Sequence, residues 1–174
     1  MLNQFNMLAA YNRWANNRVT AAARHLSEAE YREDKGAFFG SMHGTLNHIL
    51  AADQIWLKRF TGVGDAPPSL DTILCPTLTE LEAARSALDT RIIDWIANLT
   101  MADLTADVTY TPMTSPIPVT HPLAPGLTHV FNHQTHHRGQ AHMILTALGK
   151  PSITLDLISF VRADGVEWLR PNSV

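Results

Sequence analysis

Four histidines crowd one short stretch, His129-Val-Phe-Asn-His133-Gln-Thr-His136-His137-Arg138-Gly139-Gln140. His129, His133 and His137 follow one another at four-residue steps, which sets their side chains on one face of an α-helix. Neutral imidazole is a common ligand of divalent metals, and two histidines at i,i+4 can reach a single ion. A lone histidine on a helix is ordinarily a surface group or a hydrogen-bonded core residue. Three on one face, with a further candidate on another helix, point to metal binding. They cannot all serve one ion. His129 and His137 stand about 12 Å apart along the axis at about 1.5 Å per residue, whereas bonds of about 2.0–2.1 Å hold two donor atoms within about 4.2 Å. The pair is 129/133 or 133/137, and spacing leaves that choice open. His48 is the best-placed third ligand from another helix. An all-imidazole set suits Zn, Ni, Fe, Co or Cu without naming one. Three protein ligands also leave positions for water or substrate, as catalytic sites do, where an ion can acidify water or activate a thiol.

The elements that must position these residues are read from periodicity. Phe5, Leu8, Ala9, Asn12, Ala15, Val19, Ala22 and Leu26 predict a first helix over about 3–26. Ser27 and Glu30 form a capping box for one further turn, and a polar connector runs over 32–40. Ser41 is the N-cap of a second long helix to about Phe60. Its apolar face holds Met42, Leu46, Ile49, Leu50, Trp56, Leu57 and Phe60, with His48 at the edge and Asp53 in the middle. A carboxylate so placed needs a partner on a neighbouring helix, because an unpaired buried charge is costly. The stretch 61–76 is a long Gly/Pro-rich loop, expected to border a site or an interface. Thr77 and Glu80 cap a third helix to about Leu99, striped by Leu81, Leu88, Ile92 and Trp95. Five prolines and Val108-Thr109-Tyr110 make 104–125 an extended crossover or short β-ribbon. A fourth helix runs from about Pro125 to Leu148, ended by Gly149-Lys150-Pro151. A wheel centred on its histidines puts Gln140, Ile144 and Leu148 on the interior face and His142 on the solvent side. Thr154–Val161 predicts one more short helix, and the tail after Gly165 carries no assignment.

These elements predict one all-α domain over 1–174, a four-helix bundle with the extended crossover before its last long helix. The bulk numbers agree. In 174 residues, 45% are hydrophobic and 17% charged, enough for one sizeable core. A net charge of -3 with no basic block excludes the footprint of a nucleic-acid binder. Cys75 stands alone, so neither an intramolecular disulfide nor a thiolate zinc site can form. No apolar run approaches the ~20 residues of a membrane span, and Met1–Asn6 lacks a secretory pattern. A cytoplasmic protein without membrane or nucleic-acid partners is expected.

The stretch 129–140, with its His-Arg-Gly-Gln ending, resembles the signature of the DinB/YfiT-like family of damage-inducible metalloproteins. Tyr11-Asn12-Arg13-Trp14-Ala15-Asn16 is similar to that family's first-helix motif, and 46–57, Leu-Asn-His-Ile-Leu-Ala-Ala-Asp-Gln-Ile-Trp-Leu, to its second. The resemblance implies an up-down-down-up order for the bundle. It implies His48, His133 and His137 as metal ligands, which resolves the choice left by spacing. His129 then becomes a neighbour of the site, His136 has no assigned role, and Arg138 and Gln140 are an ion-pair partner and a hydrogen-bonding group beside it. It further implies a divalent ion and a low-molecular-weight thiol such as bacillithiol or mycothiol, with S-transfer to an electrophilic small molecule as the preferred reaction and hydrolysis beside it. A homodimer is expected. The competing expectation is a non-enzymatic stress-response protein that only binds metal. No basic pocket for an anionic thiol is evident from sequence.

Overall fold

A computed structural model describes residues 1–169, so the end of the unassigned tail lies outside the described residues. In chain order the elements are α1 (Leu2–Ala23), α2 (Glu28–Arg32), α3 (Met42–Thr61), α4 (Leu78–Ala97), α5 (Met101–Thr105), β1 (Asp107–Tyr110), β2 (Val119–Pro122), α6 (Leu123–Ala147) and α7 (Leu157–Ala163). A single 3-10 turn follows at Val166–Trp168. The fold is mostly helical with one two-stranded antiparallel sheet.

Helix starts follow local chemistry. Ser27 with Glu30 and Thr77 with Glu80 form complete capping boxes, each side chain satisfying the other's backbone N–H. Thr100 with Asp103 makes a third box and starts α5, a helix the sequence reading missed at the junction between the third helix and the crossover. Ser41 caps α3 by accepting from the Gly44 N–H, and Gly62 ends it at φ 71°. α6 begins at Leu123, earlier than the expected Pro125. A proline in the first turn is tolerated there because its missing N–H would have no intrahelical acceptor.

α1 and α3 each pack against both α4 and α6. Between them lie Phe5, Val19, Met42, Leu50, Leu81, Ile96, Leu127 and Ile144, all buried. Each such side chain contributes on the order of 1.5–3 kcal/mol by leaving water. The ribbon pairs Asp107 with Pro122 and Tyr110 with Val119, and lies against α3 and α6. Gly126 permits that approach, since a Cβ there would come within 2.8 Å of Phe60 and 3.0 Å of His121. α7 closes over α1, where Tyr11, Trp14 and Phe160 cluster and the Trp14 indole donates to Asp164 at 2.6 Å.

One face is rotated relative to expectation. The buried side of α6 carries Leu127, Val130, Phe131, Gln134, Arg138, Ala141, Ile144 and Leu145, with His137 at its edge. His133 and Gln140 are half-buried and His129 is exposed. The wheel failed because Gln134 and Arg138 look like surface residues by type. They are buried because other helices supply their partners.

Candidate metal centre

Two turns of α6 and the middle of α3 bring His48, His133 and His137 together. Their Nε2 atoms form a triangle with sides of 3.1, 3.1 and 3.3 Å. His129 does not join it. Its ring lies 5.6 Å from that of His133 and 4.8 Å from Trp56, which leaves it a neighbour on the solvent side.

The orientation of two of the three rings is fixed from behind. His48 Nδ1 donates to the Leu70 carbonyl at 2.8 Å, so the 61–76 loop does border the cluster. His137 Nδ1 donates to Gln140 Oε1 at 2.8 Å, and the Gln140 amide in turn donates to His136 at 3.4 Å. With the proton on Nδ1, the lone pairs of His48 and His137 sit on Nε2 and face the centre. Phe39 stacks on His48 with centroids 3.7 Å apart and planes at 16°. That stacking depends on Gly44, because a Cβ there would collide with the Phe39 carbonyl. The sequence reading missed Phe39, Gly44 and Leu70. A glycine one turn into a helix was the available signal.

Burial, with the neighbouring rings adding to it, pulls His133 down to about 3. Burial likewise brings His48 to about 4 against its bond to Leu70, and lowers His137. The rings are therefore neutral near pH 7. Between His48 and His137, two lone pairs face each other at 3.1 Å with no proton to share. Such a pair repels unless a cation lies between. Metal–nitrogen bonds of about 2.0–2.1 Å would space the donors at about 2.9 Å for right-angled and about 3.4 Å for tetrahedral geometry, and the observed triangle falls inside that range. The donor set fits a divalent ion that accepts imidazole.

One residue round the helix, a second polar cluster is built differently. Asp53 pairs with Arg85 at 2.8 Å, and Arg85 with Asp89 at 3.0 Å. Gln134 donates to Asp53, and Asn16 donates to Asp89 at 3.1 Å. Arg138, expected as an ion-pair partner, instead donates to the side-chain oxygens of Asn12, Asn16 and Gln134. Burial pushes the Asp53 carboxyl up and Arg85 opposes it. A guanidinium that keeps its proton at this distance holds the carboxylate ionised. Asp53 therefore has the partner its position demanded, and it is structural. Arg85 and Asp89 lie on the same stripe as Leu81, a legible signal that was passed over.

Two cavities of about 270 Å³ flank the histidines. One is lined by Phe38, Phe39, His136, His137 and Gln140, the other by Trp56, Arg59, Tyr110, Met113 and His129, and His133 borders both. A larger one, about 580 Å³, lies away from them between Arg18, His25, Leu145 and Lys150 and holds no comparable cluster. Among the described residues no helix is long and apolar enough to cross a membrane.

Comparison with known proteins identifies what the chain is similar to. The chain is 25% identical over 155 residues to the protein DinB of Bacillus subtilis strain 168, covering 86% of this chain and 88% of that one. Its fold resembles the crystal structure of a DinB-like protein from Bacillus cereus ATCC 10987, with a TM-score of 0.62 at 15% identity over 80% of this chain and 89% of the other. The model of the DinB family matches residues 1–170, and the chain belongs to that family.

Proposed function

We propose that His48, His133 and His137 hold one divalent ion, and that the protein is a metal-dependent enzyme acting on a small molecule. The observation that carries this reading is the lone-pair triangle, with two of its three rings locked from behind by Leu70 and Gln140. When bound, the ion would supply Lewis acidity that lowers the pKa of a thiol or a water. The protein's own part is to fix three neutral imidazoles on one side and to leave the other side open to the flanking cavities. Thiol S-transfer to an electrophile is the preferred reaction, because imidazole-bound borderline metals take thiolate readily. We further propose that the four long helices form an up-down-down-up four-helix bundle, cytoplasmic and paired as a homodimer.

The purified protein is expected to bind about one zinc, nickel, iron or cobalt ion per chain, and His133→Ala to bind none. Full retention of metal by that variant rejects the site. Chelator-sensitive, thiol-dependent loss of chlorodinitrobenzene supports the transferase. No turnover with any of several thiols, by a protein that does bind metal, leaves the non-enzymatic metal-binding role.

A further inference from the structure

The cavity bounded by α3, β1 and the loop after β1 contains an unpaired cation. Arg59 lies with its guanidinium 4.7 Å from the Trp56 ring and 4.3 Å from the Tyr110 ring. The two rings stand at 73° to each other, so they hold the guanidinium carbon in the corner between their faces without accepting a conventional hydrogen bond from its N–H groups. Among the described residues no carboxylate forms an ion pair with those groups and no acceptor takes a hydrogen bond from them, whereas the deeper Arg85 has two carboxylates. Arg59 is nonetheless half-buried, and that burial pulls its pKa down with only the Tyr110 hydroxyl opposing. A guanidinium serving only to fasten the ribbon to α3 would not need its edge in a cavity. This one shares its cavity with His133.

We propose that Arg59, held between Trp56 and Tyr110, is the anion-binding element of a subsite for a small organic carboxylate whose other end reaches the histidine cluster. The orientation of that ligand rests on the metal-site reading above. A guanidinium edge takes a carboxylate through two parallel N–H···O bonds. Pre-ordering by the two rings reduces the side-chain entropy lost on binding. Among the described residues Arg59 is the only Lys or Arg lining the cavity, which favours a monoanionic carboxylate over a phosphate dianion. A volume of about 270 Å³ equals roughly nine waters at about 30 Å³ each. That is room for an amino-acid-sized acid, and too little for a nucleotide. A thiol bearing a carboxylate would span both ends, and it would supply the basic recognition that the sequence did not reveal.

The test compares thiols that differ in the carboxylate. Zinc-loaded protein titrated calorimetrically is expected to bind 3-mercaptopropionate at least tenfold more tightly than 2-mercaptoethanol. Arg59→Gln should remove that preference without changing zinc stoichiometry, and Arg59→Lys should retain part of it. In metal-free protein, propionate should shift the Trp56 indole N–H resonance saturably, propanamide should not, and Arg59→Gln should abolish the shift. Equal affinity for the two thiols overturns the proposal, as does a preference that survives Arg59→Gln or a stronger response to inorganic phosphate than to propionate. The wild-type comparisons need no variant to fold. If zinc fails to bind, the metal reading falls, and the propionate titration still decides the subsite.

Discussion

His133 and Gln134 are adjacent on α6, as are His137 and Arg138, yet each pair is divided between two opposite kinds of polar site. Gln134 and Arg138 enter a closed network in which two aspartates balance two arginines and amide groups of Asn12 and Asn16 fill the gaps. His133 and His137 enter a cluster of neutral imidazoles that opens onto two cavities. Burial alone therefore does not mark a functional polar residue. What separates the two regions is whether the protein itself completes the electrostatics. The closed network ties α1, α3, α4 and α6 together.

Opposite responses to mutation would sharpen that contrast. Asp53→Ala should destabilise the fold by about 3–5 kcal/mol, because it leaves Arg85 buried with one carboxylate fewer, as read by urea unfolding of metal-free protein. His133→Ala should leave metal-free stability within about 1 kcal/mol, since it relieves lone-pair repulsion while removing modest packing. A large loss there would erase the distinction. Gly44→Ala should be next in size. By displacing Phe39 from His48 it should weaken metal affinity about 10–100-fold, measured by competition with a chelator. The neighbouring substitution Gln134→Ala should cost about 1–3 kcal/mol of stability with metal stoichiometry intact, and altered stoichiometry would mean that the two clusters are coupled.

The pH dependence of metal-free stability separates the two regions by another route. His48 and His133 are held at about 4 and about 3 in the folded chain, against about 6.5 when unfolded. Between those values the unfolded chain binds protons that the folded chain refuses, so stability is complete above about pH 6.5 and declines as pH falls. His133→Ala should flatten this slope by about one proton between pH 6 and 4. Bound zinc should raise stability across the range and steepen its loss in acid. A slope unchanged by His133→Ala would show that His133 does not keep its depressed value in the folded chain.

Much of the helical framework was legible in the sequence because its signals are local. Ser27, Ser41 and Thr77 cap the helices they announce, and Gly62 ends α3. The histidine spacing on α6 was equally plain, because a helix repeats its face every few residues. The missed helix α5 had the same capping signal in Thr100 and Asp103, just ahead of the proline-rich segment read as extended. The wheel of α6 was wrong for a non-local reason. Nothing within 129–140 states that Arg138 will meet Asn12 and Asn16 from α1.

The sequence by itself determined that two imidazoles one turn apart could share an ion, since that depends only on the pitch of one helix. It also required Asp53 to find a partner, since the cost of a buried charge does not depend on which helix supplies the cation. Tertiary structure decided the rest. It selected His137 over His129 as the neighbour of His48, brought Phe39 and Leu70 behind the His48 ring, and left Arg59 unpaired at the cavity wall. These relations join residues far apart in the chain, and only the packing of α3 against α6 and the ribbon fixes the distances on which their chemistry depends.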